Sequence, residues 1–140
     1  MANTGYDWGE WAFATDGAGG DWDADVMSDA GSLTSNTSIS LNTIAACEVG
    51  FALAEDDTGA IDGVVTVYVL GSGGGIGDEE IGIGSPWSFT ITPVQDDVVY
   101  KRFDVDPAAY GDFKVAVANE SGQTLAVSVK YRTATIPVAS

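Results

Sequence analysis

A chain of 140 residues with 45% apolar and 19% charged side chains has the composition of one globular domain rather than of a disordered chain. Five basic against 21 acidic side chains give a formal charge of −16, a field that repels phosphate backbones and anionic lipid and so excludes nucleic acid and membrane surfaces as partners. The lack of histidine removes the usual general base and the imidazole metal ligand, and the single cysteine, Cys47, excludes an internal disulfide and a cysteine zinc set.

The charge is uneven. Residues 1–100 hold 17 acids and no lysine or arginine, a balance of −17, whereas 101–140 hold four acids and all five bases, a balance of +1. The opening MANTGYDWGEW has neither a basic leader nor an apolar stretch, so the expectation is a chain made in the cytosol without a secretory signal.

Residues 1–32 carry three of the four tryptophans (Trp8, Trp11, Trp22), seven acids and six glycines, with no period of 2 or 3.6. The expectation is an irregular, acidic N-terminal arm, residues 1–32, ahead of a body at 33–140. Large aromatics contribute nothing to a chain unless buried, so this arm packs on its own domain or on a neighbour. Anchoring on a partner is the favoured role for Trp8, Trp11 and Trp22, with stacking on a sugar as the rival. Within the arm, DWDADVMSDAGS spaces Asp21, Asp23 and Asp25 like the first ligands of a calcium loop. That loop needs glycine at its sixth position and glutamate at its twelfth; Val26 and Ser32 stand there. The segment therefore reads as solvated acidic surface, and a looser calcium site at Asp21, Asp23 and Asp25 is the weaker alternative.

From residue 33 the chain reads as strands. SLTSNTSISLNTI alternates around Ile39 and Leu41, and IAACEVGF places Cys47 as a small buried hydrophobe. VVTVYVL is a β-branched run after the turn EDDTGAIDG. GSGGGIGDEEIGIGSP is a long glycine loop, of a length that signals contact or mobility; it lacks the lysine and helix of a phosphate loop. WSFTITPV puts Trp87, Phe89 and Ile91 on one face, which predicts Trp87 in the core. DVVYKRFDV follows, then DPAAYG as a turn. DFKVAVANESGQTLAVSVKYRT predicts an antiparallel hairpin with one wet side, turning at NESGQ. Seven or eight strands and no amphipathic helix predict an all-β fold, an antiparallel β-sandwich of jelly-roll type.

Asp56 with Asp57, Asp78-Glu79-Glu80, and Asp96 with Asp97 sit in predicted turns. Paired carboxylates serve glycoside hydrolysis, but nothing apolar surrounds these, and solvated turns are the reading preferred. A histidine-free, thiol-poor chain is expected not to be an enzyme and to need no cofactor. Lys101, Arg102, Lys114, Lys130 and Arg132 lie on the late strands; a shared face would dock the acidic arm of a like subunit, and a solvated strand face is the equal alternative.

Residues 85–136 resemble the C-terminal half of small virion proteins of tailed bacteriophages. The cues are Trp87-Ser88-Phe89, Tyr100-Lys101-Arg102-Phe103-Asp104-Val105, and the run from Val117 to Thr124 leading into the last strand. The resemblance implies a non-enzymatic decoration (cement) protein on the capsid exterior, synthesised in the host cytoplasm. It also implies binding to the major capsid protein or another virion protein, as a homo-oligomer, often a trimer. Trp8, Trp11, Trp22, Lys101 and Arg102 are the expected partner-binding residues. The rival reading is a carbohydrate-binding or adhesion β-sandwich of a phage tail or fibre.

Overall fold

A computed structural model describes residues 5–55, 59–73 and 77–136. Eleven strands and no helix occur among them. The first sheet runs β1-β11-β6-β9, with β2 and β3 also on β11, and the second runs β4-β10-β7-β8, with β5 on β10. All pairings are antiparallel, and the two sheets pack on each other as the expected β-sandwich. The long strands are β6 (Ala46–Glu55), β7 (Val64–Gly71), β9 (Val98–Val105), β10 (Asp112–Glu120) and β11 (Leu125–Thr135). β8 spans Trp87–Ile91, and the short β4 and β5 span Gly31–Thr34 and Ile39–Ser40. Alternation does the work in each long strand: Cys47, Val49, Phe51 and Leu53 of β6 face the core, as do Val65, Val67 and Val69 of β7 and Leu125, Val127 and Val129 of β11.

The N-terminal segment is not an irregular arm. It contributes β1 (Asp7–Trp8), β2 (Ala12–Phe13) and β3 (Asp25–Met27), each laid along the outer edge of β11. Between β2 and β3 the chain turns back on itself. Asp16 Oδ1 accepts hydrogen bonds from the N–H groups of Ala18 and Gly20, and Trp22 N–H donates to Ala14 O. Ala14 N–H donates to Val129 O and Val129 N–H donates to Trp22 O. These bonds drop the Trp22 side chain into the interior, where it is fully buried with Ala14 and Met27 in the core.

β10 and β11 do not form the predicted hairpin. They belong to opposite sheets, and residues 121–124 carry the chain between layers. Alternation fixes which side chains face inward but not which strand lies alongside. The crossing is held by Asn119, which is fully buried. Its Nδ2 donates to Met27 O, Ser28 O and Gln123 O, and its Oδ1 accepts from Ser121 N–H and Oγ–H. Gly122 takes φ +86°, a conformation that glycine adopts without strain, and donates its N–H to Asp29 Oδ1. Asp29, expected only as acidic surface, thus caps the crossing.

The glycine loop folds back on β7 in its described part. Glu79 Oε1 accepts from Gly71 N–H, and Asp78 accepts from Gly73 N–H and pairs with Lys114 at 3.2 Å. Trp87 is corrected from core to rim. It shares its face of β8 with Phe89 and Ile91 but lies where the sheets end, leaving it 49% exposed against Phe89 and Phe103.

Truncating Trp22 leaves a large cavity in a closed core. Trp22→Ala is expected to cost about 3–5 kcal/mol in denaturant unfolding, and Trp22→Phe clearly less, because the indole N–H has no acceptor among the described residues. A loss below about 1 kcal/mol for Trp22→Ala would show that the segment is not part of the core.

Candidate functional site

The outer face of the first sheet is set by register. In-register rows across β11, β6 and β9 read Arg132–Glu48–Asp104, Lys130–Gly50–Arg102 and Ser128–Ala52–Tyr100. Three of these nine places, Gly50, Ala52 and Ser128, hold small residues, so the middle of the face is shallow while its margins carry long side chains. A groove of about 650 Å³ results. Gly50, Ala52 and Ser128 form its floor. Phe13, on β2 in register with Lys130, bounds one side, and Tyr100, 75% exposed on β9, bounds the other.

Trp11 closes one end. Its indole lies over Gly50, where a Cβ would meet ring carbon Cζ3 at 3.4 Å, so glycine lets the ring settle on the backbone. Arg132 is sandwiched by aromatic rings, its guanidinium carbon 4.4 Å from the Trp8 centroid and 4.9 Å from that of Trp11. Lys130 Nζ stands 4.4 Å over the Phe13 ring. Glu48, largely buried, is bridged by Arg102 at 3.3 Å and Arg132 at 3.2 Å. The outer-face side chains of the groove bring two cations, Arg102 and Lys130, against one carboxylate, Asp23, on a chain with 21 acids and five bases.

The residues expected to bind a partner fall in different places. Trp22 is withdrawn from the surface altogether. Trp8 and Trp11 lie on the outer face of their own sheet, half-buried, and only Trp11 of the two lines the groove. Lys101 and Arg102 point to opposite sides of β9. Arg102 joins Lys130 and Arg132 on the outer face, whereas Lys101 is in register with Phe51 of the inner face, exposed because β9 is an edge strand. An inward-directed charge on an edge strand discourages the addition of another strand. Lys114 is on the second sheet, with Asp78. The bases therefore share a face in part. Phe13 and Gly50 escaped the sequence reading as site residues; the signal was the small-residue alternation Gly50, Ala52, Ala54 in a strand whose other face, Cys47, Val49, Phe51 and Leu53, is apolar.

The aspartates of the arm are separated by the fold. Asp21 and Asp23 are exposed, while Asp25 is directed at Asp16. Among the described residues no group of three or more acidic or thiol side chains is disposed to hold a metal ion. Asp56 and Asp57 lie outside the described residues. Asp97 Oδ1 accepts from Val98 N–H, and Asp96 N–H donates to Glu55 Oε1, so both serve the turn into β9. The Cys47 thiol is pushed up to about 12 by burial and by the charges of Asp104 and Glu48, which leaves it unreactive.

No family model and no curated protein matches the chain. Among solved structures it is similar to one described as "Bacillus endospore appendages form a novel family of disulfide-linked pili". The match has 15% identity and a TM-score of 0.43, over 98% of this chain and 96% of that one.

Asp25 is held at about 6 by burial, by its hydrogen bond with Asp16 and by the charges of Asp16 and Asp23. Asp16 is lowered by the same bond and by the Ala18 and Gly20 N–H groups. Asp25 therefore carries a proton that its unfolded form, at 3.8, has already lost. The stability it contributes is complete below that value and disappears as pH rises through about 6. Asp25→Asn, a permanent donor to Asp16, should melt above wild type at pH 8, with the gap closing by pH 5. A gap independent of pH would contradict the shared proton.

Proposed function

We propose that the protein is a non-enzymatic structural subunit that joins a larger protein assembly through the flank where β8 and β9 end the two sheets. One observation carries this reading. Of the eight large apolar side chains exposed among the described residues, five (Ile83, Trp87, Val94, Val98 and Tyr100) fall within residues 83–100, from the loop before β8 to the middle of β9. Single exposed hydrophobes are ordinary on any surface, whereas their concentration on one side of a domain marks a contact with another macromolecule. The opposite flank carries the short strands β1–β5, where Tyr6 and Val26 are also exposed, so the exposure is weighted toward the β8–β9 side. Lys101 turns the edge of β9 away from strand addition, which makes the contact one of side-chain packing. Half-exposed Trp87 is suited to act as its anchor.

The chemistry of the chain supports a role without catalysis. It has no histidine, its thiol is buried, and its Asp78 and Glu79 carboxylates bind backbone N–H groups and Lys114. No helix of the described residues is long and apolar enough to cross a membrane. The finer assignment is that implied by the resemblance of residues 85–136. It makes the chain a virion protein decorating the capsid exterior, bound to the major capsid protein or another virion protein as a homo-oligomer, with a trimer favoured. The flank at 83–100 lies within that same stretch but for its first two residues.

Immunogold labelling of native material should show repeated copies on the surface of a particle. In the same material, a Trp87→Ser/Val98→Ser variant should fold normally and be missing from the assembly. Label dispersed in solution, or normal incorporation of the double variant, would overturn the reading.

A further inference from the structure

We propose that the groove on the outer face of the first sheet binds an acidic saccharide, a glycan bearing a carboxylate such as a uronic or sialic acid. The site adjoins the assembly flank at Tyr100, which belongs to both, but its floor, its opposite wall and its cations lie outside that flank, and its recognition chemistry follows from its lining. A pyranose ring has an apolar C–H face and a rim of hydroxyls, so a saccharide site needs flat aromatic surfaces set apart by hydrogen-bonding groups. Here Tyr100 on one side and Phe13 with Trp11 on the other supply the surfaces, across three strand spacings from β2 to β9 or roughly 14 Å. Ser128 and Asp23 supply hydroxyl and carboxylate partners between them. Ala52 and Ser128 keep the floor low beside the Trp11 indole, which itself rests on Gly50. The volume, about 650 Å³, is within the range of sites for small ligands.

The charge argues for an anion. Arg102 has a side chain 67% exposed even though it bridges Glu48, so one edge of its guanidinium remains open to a ligand carboxylate in the paired geometry that arginine favours. Lys130 stands on the Phe13 ring on the far side. These cations occur on a molecule of charge −16, which repels extended polyanions at long range. A saccharide with one or two carboxylates meets the local cations without that penalty.

A peptide is the less favoured occupant because the floor offers it nothing from the backbone. β6 is bonded to β11 on one side and to β9 on the other, so its N–H and C=O groups are already engaged. An extended peptide draws its affinity from unpaired strand edges.

Titration calorimetry with sialyllactose and with trigalacturonate, against lactose as the neutral control and poly-glutamate as the acidic peptide, tests the proposal. At least one of the two acidic saccharides should bind, at least ten-fold more tightly than lactose. Tyr100→Ala, a change at an exposed side chain, should weaken that binding ten-fold or more with the melting temperature unchanged, and Arg102→Gln should remove the preference over lactose. Binding by neither acidic saccharide, binding unaffected by Tyr100→Ala, or binding of poly-glutamate alone would overturn it. Trp87→Ser/Val98→Ser should leave saccharide binding intact, so a failed assembly reading and a failed groove are told apart.

Discussion

The structure depends on the pairing of both edges of β11. One edge is bonded to β6 in register from Leu125 to Ala134. The other is covered in succession by β1, Gly9, β2, Ala14, Trp22 and β3, so that the N-terminal segment travels the length of the strand from its end to its beginning. Without that segment an eleven-residue strand would stand open, a template for pairing with any other chain. With it, the side of the sandwich nearest the N-terminus is closed, and the inward turn at residues 14–22 delivers a tryptophan to the core.

The same arrangement creates the surface on which function is placed. Because β11 lies inside the sheet, its outer residues Ser128, Lys130 and Arg132 sit among neighbours on both sides. Trp8 and Trp11, brought by β1 and the link to β2, clamp Arg132, and Arg132 in turn shares Glu48 with Arg102. The cations are thereby fixed by rings and by a common carboxylate, each contact small and all mutually dependent. The crossing at 121–124, secured by Asn119 and Asp29, separates β10 from β11 and so separates the two sheets. Met27 and Ser28 bond to Asn119 through their carbonyls, which ties the N-terminal segment to the crossing as well as to the sheet.

Much of the body was legible in the sequence. The alternation in VVTVYVL, in WSFTI and in the two halves of the last segment follows the pleat, and strands built on that period form where expected. Partnership was not legible. A period of 2 describes faces, and the strands at Phe113–Val117 and Leu125–Val129 have the same pattern whether they lie side by side or in opposite layers. Residues 1–32 were misread because strands of two or three residues carry no period, and their hydrogen bonds are supplied by a partner about a hundred residues away. A signal was present in TDGAGGDW, where a glycine-rich turn between Ala14 and Trp22 marks a tight reversal that buries what flanks it. The groove was hidden for a related reason: Trp11, Gly50 and Tyr100 are distant in sequence and meet only through register.

Amide hydrogen exchange is the most direct test of the claim that the N-terminal segment is an integral edge of the first sheet. The N–H groups of Ala14, Trp22 and Val129 should exchange with protection comparable to that of the β6 core, disappearing only with global unfolding. Exchange of Ala14 and Trp22 at the rate of an unstructured chain, with β6 still protected, would contradict it.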